Sequence, residues 1–286
     1  MPAPPPAAPA DALVIGCGYL GWRVAARWRA AGRRVFAVTR RNADGLRALD
    51  LEPVVADVTA PATLTALPRA ATVLYAVGMD RAAGHSVRDV YVGGLGNVLA
   101  ALPAGGRLIY VSSTGVYGQT DGGWVDESSP TEPVEESGRV VLEAESLLRE
   151  RRPDAIVLRS AGLYGPDRLL RKQPILKGEG LVGDADKWLN LVHVEDGADA
   201  VLAAEARAAP GATYTIADDA PPRRRAFYTL LAELLHAPPA AFDERPEPGA
   251  ANRRVSNRRA KADLGWAPRF PTFRDGLPAA VAASRP

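Results

Sequence analysis

The chain has 286 residues, 47% apolar and 24% charged, with a formal net charge of +2, a composition ordinary for a soluble globular protein with a sizeable core. No apolar run approaches the roughly 20 residues that a membrane helix needs, and a single cysteine, Cys17, excludes an internal disulfide framework. The three histidines (His85, His193, His236) are far apart, so we expect a cytoplasmic protein with no metal site and no membrane partner.

Residues 1–10 are mostly Pro and Ala and read as a disordered tail rather than a signal peptide. Ala12-Leu13-Val14-Ile15 then reads as a buried strand, and Leu20, Val24, Ala25 and Trp28 recur at helical spacing over 20–31. Between them lies Gly16-Cys17-Gly18-Tyr19-Leu20-Gly21, a G-x-G-x-x-G. Glycines there permit a tight strand-to-helix turn, close approach to a pyrophosphate and close helix–strand packing. The phosphate would sit on the free N–H groups at the helix start. A lone match is weak; the flanking strand and helix, and a second strand at 35–38, make a dinucleotide site the favoured reading. Cys17 reads as packing rather than as a nucleophile.

Further strands are expected at 53–56, 72–77, 107–112 and 155–158, with helices at 43–49, 89–102 and 138–151. This alternation predicts a Rossmann-type α/β fold with a doubly wound parallel sheet, its ligand edge at the strands' carboxyl ends. Past Pro166 the rhythm breaks: a loop-rich stretch to Lys187, a strand at 189–192, a helix at 196–208, a strand at 214–216, and helices at 224–235 and 256–265. We therefore expect a nucleotide-binding domain over 11–166 and a smaller, interleaved substrate-side lobe over 167–286.

An NAD-preferring site usually has an acid at the end of the second strand, but no acid occurs between Val35 and Ala43, where Thr39-Arg40-Arg41 stands instead. A guanidinium binds a 2′-phosphate that a carboxylate would repel. Arg40 and Arg41 therefore point to NADP(H), with NAD(H) as the alternative. Asp57 with Val58, then Ala76-Val77-Gly78, and Ser112 complete the expected cofactor wall. Asp57 would touch the adenine edge or serve as a strand-end turn residue. The basic clusters Arg223-Arg224-Arg225, Arg253-Arg254 and Arg258-Arg259 are nearly balanced by acids and accompany no nucleic-acid motif, so no nucleic-acid partner is expected.

Five ordered segments resemble the extended short-chain dehydrogenase/reductases, the NAD-dependent epimerases and dehydratases. Ser112-Ser113-Thr114-Gly115-Val116-Tyr117-Gly118 is similar to their S-S-x-x-V-Y-G, and Arg159 through Tyr164-Gly165-Pro166 to their R-x-x-x-x-Y-G-P. His193-Val194-Glu195-Asp196 resembles H-V-D-D, Asn257 through Leu264-Gly265-Trp266 resembles N-x-x-K-x-x-x-L-G-W, and Pro133 to Glu145 matches the start of the catalytic helix. The resemblance implies that Ser113 holds a substrate oxygen, unless its hydroxyl only caps a turn. It also implies a Tyr and a Lys one helical turn apart for proton transfer. Registered on Gly138 and Glu145, those positions hold Ser137 and Val141. Serine has no accessible anion near neutral pH, and valine can neither donate a hydrogen bond nor tune a neighbour. Positioned acid–base groups typically supply about 10²–10⁴-fold in rate. The usual mechanism is broken, as in the family's atypical members.

Thr114, Tyr117, Tyr164, Asn190 and His193 are candidates to line the substrate cleft. For Tyr117 and Tyr164 a structural role competes, and for His193 a tether to the smaller lobe. Asp121, Asp126 and Glu127 read as solvated loop acids. The resemblance implies an NADP(H)-dependent oxidoreductase or epimerase/dehydratase acting on a small polar substrate such as a nucleotide sugar. The alternative is a non-catalytic NADP(H)-binding redox sensor or scaffold. It also implies a homodimer through helices 89–102 and 138–151. The second helix, however, has one main apolar stripe (Val140, Val141, Ala144, Leu147, Leu148), enough to cover the sheet and leave little for a partner.

Overall fold

Strands β1 (Ala12–Ile15), β2 (Val35–Thr39), β3 (Glu52–Val55), β4 (Thr72–Tyr75), β5 (Arg107–Ser113), β6 (Ile156–Ser160) and β7 (Thr213–Ile216) form one sheet in the order β7-β6-β5-β4-β1-β2-β3. Every pairing is parallel. The computed structural model describes residues 11–243 and 249–285; the Pro/Ala segment 1–10, expected to be a tail, lies outside them. Parallel strands are covered on both faces, which is why they read as near-continuous apolar runs. Ala12 and Val14 pack on one face with Leu20, Val24, Ala25 and Trp28, while Leu13 and Ile15 pack on the other with Leu95, Val98, Ala144 and Leu148.

Helices α1 (Gly21–Ala30), α2 (Ala43–Ala48), α3 (Gly94–Ala101) and α4 (Glu136–Arg151) follow the strands as the alternation predicts. The strand order reverses between β1 and β4, the switch point at which doubly wound sheets open a ligand crevice. The helix expected over 89–102 is divided: Asp89–Gly93 is a π-helical turn that runs into α3. Gly94 there packs so closely that a Cβ would fall 2.8 Å from Val58 Cγ2.

The later part is α5 (Lys172–Leu176), α6 (Val194–Arg207), α7 (Arg224–Leu234), α8 (Arg258–Leu264) and α9 (Phe273–Ala282). Its own core gathers Tyr164, Phe227, Leu231, Phe273 and Leu277. The same part returns β7 to the main sheet beside β6. Among the elements with no counterpart in the sequence reading are α5, the strand at Gly162–Tyr164 and α9. Gly162–Tyr164 pairs in parallel with Leu191–His193; three residues are too short to show periodicity. The start of α9 carries a capping box, Thr272 with Asp275, a readable signal obscured by Pro278 inside the helix.

Candidate functional site

The β1–α1 turn is built as the glycine spacing requires. Gly16 has φ +93°, and a Cβ on it would lie 2.5 Å from the Ala76 carbonyl carbon; one on Gly21 would lie 2.2 Å from Gly16 O. These two glycines lock the turn against β4 and the helix start. Gly18 differs, with no atom within 4 Å of its Cβ position, so its open side remains for a ligand. No side chain caps α1; the Trp22 and Arg23 N–H groups bond to Gly18 O and Leu20 O, which leaves those of Tyr19, Leu20 and Gly21 for an anion. The turn opens on a cleft of about 620 Å³ whose wall includes Gly16, Cys17, Gly18, Tyr19 and Leu20. Burial pushes the Cys17 thiol up to about 11, which leaves it protonated and supports packing over nucleophilicity.

Arg40, Asp57, Val58, Ala76, Val77, Gly78 and Ser112 all lie on the same wall. Arg40 Nη2 reaches Asp80 Oδ2 at 2.5 Å, with both side chains partly exposed. Such a surface pair is worth only about 0–1 kcal/mol, little resistance to a ligand phosphate. Arg41 is exposed and Gly21 is the turn's inner support; neither is on the wall. Asp57 Oδ1 accepts from the Thr59 N–H at 2.8 Å and the Thr59 hydroxyl at 2.7 Å.

At the end of β5, Ser113 lines the cleft and accepts the Gly115 N–H at 3.0 Å. Its role as a turn cap uses a lone pair and leaves the hydroxyl proton free to donate. Ser112 instead points into the protein and donates to Glu145 Oε1 at 2.5 Å. Arg159 Nη2 donates to Glu145 Oε2 at 2.7 Å, and its Nη1 donates to Tyr117 Oη at 2.9 Å. This buried chain pins β5, β6 and α4 directly behind Ser113. Val141 is on the cleft wall, whereas Ser137 is exposed and off it.

The expected substrate-lining residues are not brought to this wall. Tyr117 and Tyr164 are fully buried, the first as the end of the Arg159 network and the second within the core of the smaller lobe. Thr114 is buried, and its carbonyl accepts from Arg253 Nη2 at 2.6 Å. Asn190 fastens the strand at 254–255, donating to Arg253 O at 2.9 Å and accepting from Val255 N at 2.8 Å. His193 caps α6, its Nδ1 accepting from Glu195 N at 3.3 Å, and packs edge-on against Tyr164. Burial pushes its pKa down to about 4, so it is neutral at pH 7. The tether reading, not the cleft reading, describes His193.

The loop acids are also engaged. Asp121 and Asp126 accept backbone N–H groups of their own loop, from Gly123 and Ser128, each at 2.9 Å. Glu127, expected to be solvated, is partly buried and holds the Thr215 N–H at 2.6 Å. Arg223 stacks on Trp188 at 3.8 Å, Arg224 donates to Val182 O at 2.9 Å, and Arg254 donates to Gly122 O at 2.9 Å. Arg223, Arg224 and Arg254 of the basic clusters thus make local contacts. Among the wall residues that the sequence reading missed are Asp80, Tyr91, Tyr110 and Arg168. Among the described residues, no helix is long and apolar enough to cross a membrane. Nor do three or more His, Cys, Asp or Glu side chains gather in a metal-binding arrangement there.

Residues 12–217 match the sequence profile of the NAD dependent epimerase/dehydratase family. The chain is similar to Protein YeeZ of Escherichia coli K12, 34% identical over 166 residues that make up 58% of this chain and 59% of that protein. It is also similar to a 3-diazoavenalumate denitrifying reductase of a Streptomyces species, 30% identical over 162 residues, 49% of this chain and 51% of the relative. The matches therefore span between half and three-fifths of these curated relatives. A functionally unknown conserved protein from Silicibacter pomeroyi superposes with a TM-score of 0.76 at 27% identity, over 97% of this chain and 100% of that one. DesIV, a dTDP-glucose 4,6-dehydratase from Streptomyces venezuelae with NAD and TYD bound, gives a TM-score of 0.82 at 23% identity over 96% of each chain, a likeness of fold.

Proposed function

The chain belongs to the NAD-dependent epimerase/dehydratase family, and we propose that it is an NADP(H)-dependent oxidoreductase or epimerase-like enzyme acting on a small polar substrate. The observation that carries the cofactor reading is the open Gly18 side facing an uncapped α1, in a cleft with Arg40 at the end of β2. Residues Gly16 to Leu20 would hold the pyrophosphate, Arg40 the 2′-phosphate, and Ala76 to Gly78 the path between them. A bound nicotinamide supplies hydride transfer. The parent should bind NADPH more tightly than NADH in a fluorescence titration. Arg40→Ala should cost NADPH about 10- to 100-fold in Kd and leave NADH unchanged; equal losses for both would remove Arg40 from the 2′-phosphate.

Ser113 orients a substrate oxygen through its free hydroxyl proton. Ser137 and Val141 cannot move a proton, so another group must. Three phenols stand on the wall, Tyr19, Tyr91 and Tyr110. Tyr19 already donates its hydroxyl to Pro166 O at 2.9 Å, and burial pushes its pKa up to about 12. Burial first, then Glu145 and Tyr91 nearby, drives Tyr110 far above the usual tyrosine range. Tyr91 is only half-buried, its hydroxyl has no hydrogen bond among the described residues, and it sits on the π-helical turn, a feature frequent at functional sites. We assign it the proton. Incubation with NADPH and a panel of sugar nucleotides, aldehydes and ketones should reveal turnover that Tyr91→Phe reduces at least 100-fold. Turnover unaffected by Tyr91→Phe refutes that assignment. A silent panel beside tight NADPH binding favours the second reading, a non-catalytic NADP(H)-binding sensor, which the apolar Val141 on the wall supports.

A further inference from the structure

We propose that Arg168 is a phosphate clamp that closes on the pyrophosphate of the dinucleotide from beside the glycine loop; this rests on the dinucleotide reading above. Arg168 lines the cleft together with Gly16 to Leu20. Its guanidinium lies over the Tyr19 ring, 5.3 Å from the centroid, so it stands beside the loop expected to cradle the phosphates. The backbone holds it there. Gly165 has φ +152°, where a Cβ would lie 2.8 Å from Tyr19 Oη. The Arg168 N–H donates to Gly165 O at 3.0 Å, which folds the segment back toward the loop. Tyr19 Oη donates to Pro166 O at 2.9 Å and fastens the two segments together.

Charge distinguishes this arginine from its neighbours. Arg23, on the same tyrosine, is neutralised by Glu195 at 2.6 Å, and Arg40 pairs with Asp80. The adjacent acid, Asp167, is turned to Arg285, accepting its N–H at 2.9 Å. Arg168 has no carboxylate within ion-pair distance among the described residues, and it is exposed. An unpaired guanidinium on the wall of the cleft that also includes the glycine turn suits a dianionic bridge, which the cation and the turn's N–H groups can neutralise together. A stacking role alone would not need the cation to face the cleft.

Fluorescence or calorimetric titration of the full chain tests the assignment. Arg168→Ala should raise the Kd of NADPH and of NADH by the same factor, about 10- to 100-fold. It should leave the Kd of adenosine 2′-monophosphate, which lacks the pyrophosphate, unchanged. Arg168→Lys should recover part of the loss by restoring charge without the fork. Unaltered NADPH binding in Arg168→Ala overturns the clamp, and would assign the cation to an anionic substrate instead. A loss for adenosine 2′-monophosphate as large as for NADPH also overturns it, as general damage to the cleft. Absence of dinucleotide binding by the parent is a different result, which removes the cofactor reading itself.

Discussion

Glu145→Ala is expected to cost about 3–5 kcal/mol of stability, because it leaves the Arg159 guanidinium buried without its counter-charge. Both side chains are about nine-tenths buried, and the carboxylate also receives the Ser112 hydroxyl. For a chain of this size that loss corresponds to a fall of roughly 10 °C in Tm. Replacing both members by apolar residues, Glu145→Leu with Arg159→Met, should recover much of it, since a buried ion pair often breaks even against well-packed hydrocarbon. Urea unfolding followed by circular dichroism reads both values; a single variant within 1 kcal/mol of the parent would show that water or relaxation reaches Arg159. The network also has a functional consequence. It immobilises Ser112, the residue next to Ser113, so the double variant should regain stability and still bind substrate less well than the parent.

The cofactor half of this site was legible in the sequence because its demands are local. A turn that must pass Gly16 at positive φ and bring Gly21 against the Gly16 carbonyl leaves a contiguous signature, and a buried parallel strand leaves an apolar run. The reaction half was not legible, for two reasons. Residues 112, 117, 145 and 159 form one network only after β5, β6 and α4 pack, and nothing in their spacing shows that Tyr117 faces Arg159 rather than the cleft. His193 and Tyr164 sit in segments that resemble substrate-side motifs, yet the pairing of their two short strands turns both into the core of the smaller lobe. Arg168 shows the converse. It carried no local signal, and its position follows from a backbone reversal at Gly165.

Asp218 should withdraw stability from the fold as pH rises from about 4 to about 8, and Asp218→Asn should remove that contribution. Asp218 is 1% exposed, and neither carboxylate oxygen has a hydrogen-bond partner. Burial, then the charges of Asp219 and Asp196, push its pKa up to about 8, against the pull of the Ala220 N–H, which approaches without completing a hydrogen bond. In the unfolded chain the group titrates near its ordinary value of about 3.9. Between the two values the folded state holds a proton that the unfolded state has released. The stabilisation is therefore full below pH 4 and lost as pH rises through 8, for a total on the order of 5 kcal/mol. His193 acts in the opposite sense over a lower window: its pKa is depressed to about 4, so its contribution improves as pH rises from about 4 to 6.5. The parent's own pH profile mixes the two, whereas the difference between parent and Asp218→Asn cancels His193. That difference, from urea unfolding at pH 5 and pH 9, should favour the variant by several kcal/mol more at pH 9. A difference independent of pH would mean that Asp218 is already ionised at pH 5, with a partner that satisfies its charge.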